Sequence, residues 1–250
     1  MSELSASNLS LPARLHRVSA ALRRGEVTAI CGPNGAGKST LLACLAGLLP
    51  PASGEVRLAD RPLATLPPKE RARTIGFLPQ DHEVAWNLTA EALAGLGRLP
   101  WGTSAKEDCA HVAAALAALD MTGLARRRVS TLSGGERARV LLARVLAGAP
   151  GWVLADEPLA SLDLAHQLSL AGHFRALAAG GTGVVLVLHD LALAMNRADR
   201  VLVLDKGTLA ADGPPDRALS AETIARVWGV NARWLGEPGQ RALVADTNLH

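Results

Sequence analysis

The chain is 250 residues long, 49% apolar, and carries a formal net charge of +3. That length can bury a sizeable core as one large domain or one with a subdomain. The charge is too mild to imply a nucleic-acid partner, the aromatic content of 3% with no Tyr leaves few platforms for stacking single strands, and no apolar run reaches the ~18 residues of a membrane span.

The opening Met1-Ser2-Glu3-Leu4 lacks the charged-then-apolar order of a signal peptide, so the chain is expected to stay in the cytosol. Residues 1–31 are strand-rich, with turn signals at Pro12 and Arg24-Gly25 and a closing apolar run, Glu26–Cys31. Gly32-Pro33-Asn34-Gly35-Ala36-Gly37-Lys38-Ser39-Thr40 follows, a full match to G-x-x-x-x-G-K-[ST]. The helix-like Leu41–Ala46 comes next, so the loop has the strand–loop–helix context of a phosphate site. Its glycines let the backbone turn successive N–H groups inward as an anion nest, and the helix starting near Lys38 adds its positive end. Lys38 supplies a compact charge for the β- and γ-phosphates, and Ser39 a hydroxyl for Mg2+. Only Lys38, Lys69, Lys106 and Lys206 break an otherwise arginine-based usage of 26 basic residues. A lysine here fits a need for a point charge rather than a planar fork.

Val56–Leu58 and Thr74–Leu78 read as further strands, split by a break at Pro67-Pro68. Residues 82–148 are Ala/Leu-rich and helical in period, for example His111–Leu119 and Ala138–Ala147. Strands Trp152–Ala155, Val184–Leu188 and Val201–Leu204 then alternate with helices at about 165–179 and 190–196. Continuous apolar strands alternating with helices predict a parallel sheet covered on both faces, with 82–148 inserted as a helical block. Cys31, Cys44 and Cys109 have no C-x-x-C spacing and read as reduced and mostly buried.

Strand 152–155 runs into Asp156-Glu157. Adjacent carboxylates at a buried strand end need cationic partners. In a P-loop fold the first serves Mg2+ and the second can take a proton from an attacking water; an ordinary loop is the alternative. Leu132-Ser133-Gly134-Gly135-Glu136 precedes a helix expected near Arg137. It is either a second anion cradle or a capping box of Ser133 and Glu136. One P-loop has no evident need of a second cradle, and the surplus points to an oligomer in which one copy's cradle closes over the other's nucleotide. His189 follows strand 184–188 at the end where α/β folds place ligands. Gln80, after strand 74–78, is either a group touching Mg2+ or the water, or a surface glutamine. Asp163, two residues after Ser161, is a site residue or a helix cap.

Together these pieces resemble the ATP-binding subunit of ATP-binding-cassette (ABC) transporters over nearly the whole chain. Gly32–Thr40 resembles the Walker A loop, Gln80 the Q-loop glutamine and Leu132–Glu136 the LSGGE/Q signature. Trp152–Glu157 resembles Walker B with its catalytic glutamate, Asp163 the D-loop aspartate and His189 the switch histidine. The resemblance implies a P-loop ABC ATPase core with a mostly parallel sheet, an N-terminal antiparallel β subdomain and an inserted helical subdomain. It implies one domain over 1–235 with a tail from 236 to 250. It also implies a head-to-tail homodimer around two ATPs with Mg2+, peripheral on the cytoplasmic face of the inner membrane, driving permease subunits that meet residues 81–101. Nucleic acid is not an expected partner; a non-transport ABC ATPase acting on nucleic acid or ribosomes is the alternative, as is transport of another substrate. Leu96-Gly97-Arg98-Leu99-Pro100-Trp101 resembles the GR-x-P segment of siderophore, haem and vitamin B12 importers, which work with a substrate-binding protein, and the end of the chain, including a hairpin-like Arg233–Ala245, fits the same group. One departure concerns the base: where many members stack adenine on an aromatic, this chain has Ser10-Leu11-Pro12-Ala13-Arg14-Leu15.

Overall fold

The computed structural model describes residues 3–80, 88–160 and 162–245. The first strands, β1 (Leu4–Leu11) and β2 (Leu15–Leu22), form a tight antiparallel hairpin over the turn at Pro12–Arg14. Strand β3 (Val27–Cys31) leads into the glycine loop and α1 (Lys38–Leu45). Strands β4 (Ser53–Leu58) and β5 (Arg61–Pro62) return to the hairpin, giving an antiparallel sheet of order β2-β1-β4-β5.

The expected break at Pro67-Pro68 is instead a helix start. Pro68 occupies the first turn of α2 (Pro68–Thr74), where its missing N–H costs nothing and its fixed φ suits the helix. Strand β6 (Ile75–Leu78) follows, then the helical block of α3 (Ala90–Gly95), α4 (Ala105–Ala117) and α5 (Gly134–Ala147). The front of the expected block, up to residue 87, lies outside the described residues. The chain then alternates through β7 (Trp152–Asp156), α6 (Leu164–Ala179), β8 (Gly183–Val187), α7 (Leu191–Arg197) and β9 (Arg200–Asp205). Strand β10 (Thr208–Gly213) folds back antiparallel on β9, and α8 (Pro215–Ala218), α9 (Ala221–Trp228) and a hairpin of β11 (Ala232–Leu235) and β12 (Ala242–Ala245) close the chain. This hairpin crosses the boundary expected at 235: β12 pairs with β11, and the described part of the tail is not loose. Cys109 also departs from expectation. It is exposed on α4, whereas Cys31 and Cys44 are buried.

The main sheet has the order β10-β9-β3-β8-β7-β6, parallel from β9 to β6. Its side chains alternate between two cores. Val184 and Leu186 pack with Val153, Phe174 and the helical block, while Val185 and Val187 pack with Leu154, α1 and the antiparallel sheet. Burial on both faces makes each strand nearly all apolar and fixes its register, because a one-residue slip would exchange the two faces.

The segment Leu96–Trp101 ties the helical block together and to α2, while α5 packs on β6. Arg98, only 4% exposed, donates to Asp108 Oδ1 at 2.8 Å and to the Ala147 carbonyl at 3.1 Å. The Trp101 indole donates to the Gly148 carbonyl at 3.1 Å, and the Arg73 and Arg98 guanidinium carbons lie 5.1 and 4.9 Å from its ring centroid. Arg73, on α2, also donates to the carbonyls of Pro100 and Trp101. At Gly97 a Cβ would stand 1.9 Å from the Arg144 carbonyl oxygen. Gly97→Ala should therefore push the joint off α5 and destabilise the chain by about 2–3 kcal/mol, a fall of about 5–10 °C in thermal melting.

Candidate functional site

Register places the chemistry. Ile30, Val187 and Asp156 stand level across β3, β8 and β7, and Leu78 of β6 stands level with Ala155. The C-terminal ends of four neighbouring strands therefore open on one edge, and Gly32, His189, Glu157 and Gln80 are the residues delivered there, where open parallel sheets present ligand crevices.

The glycine loop wraps the Lys38 side chain. Its Nζ donates to the Gly32 carbonyl at 2.9 Å and the Pro33 carbonyl at 3.0 Å. Gly37 has φ +98, and a Cβ there would lie 2.6 Å from the Arg14 carbonyl oxygen, so both the left-handed backbone and the close approach require glycine. Burial lowers the Lys38 pKa; Glu157 opposes that shift, as do Cys31 and Asp156. Burial also pushes the neighbouring Cys31 thiol up to about 12, leaving it an inert core group.

Ser39 Oγ donates to Asp156 Oδ1 at 3.1 Å. Burial raises the Asp156 pKa, partly offset by this hydrogen bond and by Lys38 and His189. A hydroxyl and a carboxylate are hard oxygen donors of the kind Mg2+ takes, so the pair fits that ion. The Gln80 amide goes elsewhere: Nε2 donates to Glu157 Oε2 at 2.9 Å. His189 Nε2 meets the other oxygen, Oε1, at 2.5 Å. With Glu157 ionised, Nε2 carries the proton of that bond. Glu157 itself has φ +49, a strained conformation for a side-chain-bearing residue, seen where surrounding contacts over-determine the backbone. Asp190 fixes the next step of chain by capping α7, its Oδ1 accepting from Ala192 N at 2.8 Å and Leu193 N at 3.0 Å. A cavity of about 140 Å³ opens behind Glu157 and His189, with Gln167 among its lining residues.

The Leu132–Glu136 segment is placed by different bonds. Helix α5 begins at Gly134, three residues before the expected start. Ser133 Oγ accepts from Glu136 N at 3.2 Å, and the Glu136 carboxylate accepts from Ser133 N at 2.8 Å, a complete capping box. The cap and the cradle are compatible, because the amides of Gly134 and Gly135 at the first helical positions have no intrahelical acceptor. Asp163 caps α6 through His166 N at 2.9 Å. Ser161 lies outside the described residues.

Three placements carried no signal in the sequence. The Gly207 amide donates to the Ala36 carbonyl at 3.1 Å, and its carbonyl accepts from His16 N at 2.8 Å, so the β9–β10 turn ties the glycine loop to the β1–β2 hairpin. Gln167 donates to the Leu159 carbonyl at 3.2 Å. His166 lies against Gly135. All three are tertiary contacts between ordinary-looking segments.

The family model described as ABC transporter matches residues 15–160. The chain belongs to the ABC transporter family. A hemin import ATP-binding protein HmuV of Nocardia farcinica is 50% identical over 221 residues, covering 87% of this chain and 77% of that one. Among solved structures, an inward-facing ABC transporter described as of metal-chelate type has a TM-score of 0.85 at 25% identity, covering 99% of both chains. The dimeric structure of the bacterial ABC transporter cassette MJ0796 has a TM-score of 0.75 at 27% identity, covering 85% of this chain and 98% of that one. The chain is thus an ABC ATPase, and the sequence resemblance to that family and its fold holds.

The raised pKa of Asp156 has a stability consequence with a definite sign. A carboxyl whose folded pKa is raised contributes stability at low pH and loses it as pH rises through that pKa. Without Mg2+ or nucleotide, Asp156→Asn should therefore melt above the wild type at neutral pH. The gain should fade as pH falls through the ordinary carboxylate range of about 4, which a pH series of thermal melts would check.

Proposed function

We propose that this chain is the ATPase subunit of an importer for a metal chelate of the haem, siderophore or corrinoid kind. It would work as a head-to-tail homodimer on the cytoplasmic face of the inner membrane, beneath permease subunits fed by a substrate-binding protein. Support for the cargo class comes from the hemin-import names of the relatives and the metal-chelate type of the structural neighbour. No helix among the described residues is long and apolar enough to cross a membrane, so the transport path would belong to other subunits. The permease-facing region would include residues 81–101, of which 81–87 lie outside the described residues. In that region Leu99 is 73% exposed, and an apolar cavity of about 580 Å³ lies between α3 and α4.

The observation that carries the hydrolytic reading is one carboxylate, Glu157, held between Gln80 and His189 beside the buried Lys38 and Asp156, with Ser39 bonded to the latter. Residues 32–40 would bind the ATP phosphates, with Lys38 exchanging two backbone carbonyls for β- and γ-phosphate oxygens. Ser39, Asp156 and Gln80 would hold Mg2+, which when bound offsets charge on the phosphates. Glu157 takes a proton from the attacking water. The water oxygen bonds to the γ-phosphorus, the bond from that phosphorus to the bridging oxygen breaks, and ADP leaves with phosphate. His189 orients Glu157 and the water. Leu132–Glu136 and Asp163 of one copy would complete the site of the other, the open amides of Gly134 and Gly135 facing its γ-phosphate.

Glu157→Gln keeps the size and planarity of the side chain but not the base. It should retain ATP binding, lower turnover by at least about a hundredfold, and hold the closed dimer in size-exclusion chromatography. Wild-type turnover in this variant would exclude Glu157 as the base. Adding Ser133→Arg should abolish that dimer by filling the cradle.

For the base, the turn at Leu11–Leu15 offers a half-buried Leu11 and an exposed Arg14, whose carbonyl packs on Gly37 and Gly207. A leucine face or a stacked guanidinium does not read the exocyclic groups of a purine. Competition of GTP against ATP should therefore show discrimination below about tenfold, within about 1.4 kcal/mol; a strong ATP preference would point to base contacts elsewhere.

A further inference from the structure

Helix α6 is capped by Asp163, and α5 is capped by Ser133 of the Leu132–Glu136 segment. His166, one turn into α6, touches both starting points. Its backbone N–H donates to Asp163 Oδ1 at 2.9 Å, and its ring Nδ1 bonds the same oxygen at 2.7 Å. Because an ionised carboxylate only accepts, Nδ1 carries the proton and the ring orientation is set. The far side of the ring lies against Gly135: a Cβ there would stand 2.3 Å from His166 Cδ2. The next residue, Gln167, holds the Leu159 carbonyl at 3.2 Å, so the first turn of α6 grips the loop after Glu157 at two points.

We propose that His166 is a positioning residue that locks the signature of a subunit to its own D-loop aspartate. This rests on the head-to-tail reading, in which Gly135 and Asp163 are the parts of one copy that meet the other copy's nucleotide. In that arrangement the two must approach the partner together. A ring clamped between them makes them one rigid surface, and the glycine at 135 is the small residue that lets the ring in. The nucleotide of the same chain is held by residues 32–40, on other elements, so His166 acts on closure and not on first binding.

The test uses the full-length chain in the Glu157→Gln background, where ATP should accumulate the closed dimer. His166→Ala should raise the ATP-dependent dimer dissociation constant about tenfold, the loss expected for one hydrogen bond to a charged group. Affinity of the monomer for a fluorescent ATP analogue should stay at the parent value, and the melting temperature should fall by no more than the few degrees that one lost hydrogen bond costs. His166→Asn, which keeps an amide N–H near Asp163, should recover most of the dimer. Gly135→Ala should weaken the dimer alone, and less so when combined with His166→Ala, because the displaced ring is gone. Unchanged dimerisation in His166→Ala would overturn the proposal. So would a parallel fall in analogue affinity and melting temperature, which would mark a general structural role. If the Glu157→Gln parent itself fails to dimerise with ATP while Ser133→Arg changes nothing, the head-to-tail reading fails and takes the proposal with it.

Discussion

The parallel register of β6, β7, β8 and β3 is the constraint on which the site depends. Each strand ends within a residue or two of a candidate site residue, Gln80, Glu157, His189 or Gly32, and none of these is near another in sequence. Level strand ends convert four separate positions into one cluster around Glu157. The register is held by two cores at once, because alternate side chains of each strand enter opposite faces. A slip of one residue would place apolar groups against the wrong partners throughout and separate His189 from Glu157.

Charge burial explains much of the local geometry. Lys38 is almost wholly buried, and without a phosphate its ammonium hydrogen bonds to the carbonyls of Gly32 and Pro33. Asp156 is buried with a hydroxyl as its direct partner, which leaves its carboxyl reluctant to ionise. Both groups are costly to bury as they stand. Glu157 differs: its two oxygens are each bonded, and the strain at its backbone is retained because Gln80 and His189 hold the side chain from both sides.

A second set of contacts organises the helical block. The Leu96–Trp101 segment, whose pattern resembles that of chelate importers, is mostly an internal joint: Arg98 is buried among Asp108, Thr103 and the end of α5, and the guanidinium groups of Arg73 and Arg98 both lie over the Trp101 ring. Its residue types answer to packing against α2 and α5, with Leu99 left outward. At the other end of α5, the capping box joins Ser133 and Glu136, and His166 lies against Gly135. The same helix thus packs on β6 near its C-terminus, and at its N-terminus meets His166, which bonds Asp163.

What could be read from the residues alone were the features with a local physical cause. The glycine loop, the apolar strands read at 152–155 and 184–188, and the helices read at about 165–179 and 138–147 follow from backbone permission and apolar period, with bounds one to four residues from those of the structure. So does the assignment of Asp156, Glu157 and His189 to strand ends. Pro67-Pro68 misled because proline stops one helix and starts another with the same geometry; only the strand that follows decides. Cys109 misled because a small apolar residue can sit on either side of an Ala-rich helix. Tertiary structure alone decided that Gln80 bonds Glu157, that Gly207 braces the loop, that the β11–β12 hairpin crosses residue 235, and that His166 meets Gly135. Each is a contact between segments distant in sequence or on separate helices, set by sheet register and helix packing, which no window of local sequence encodes.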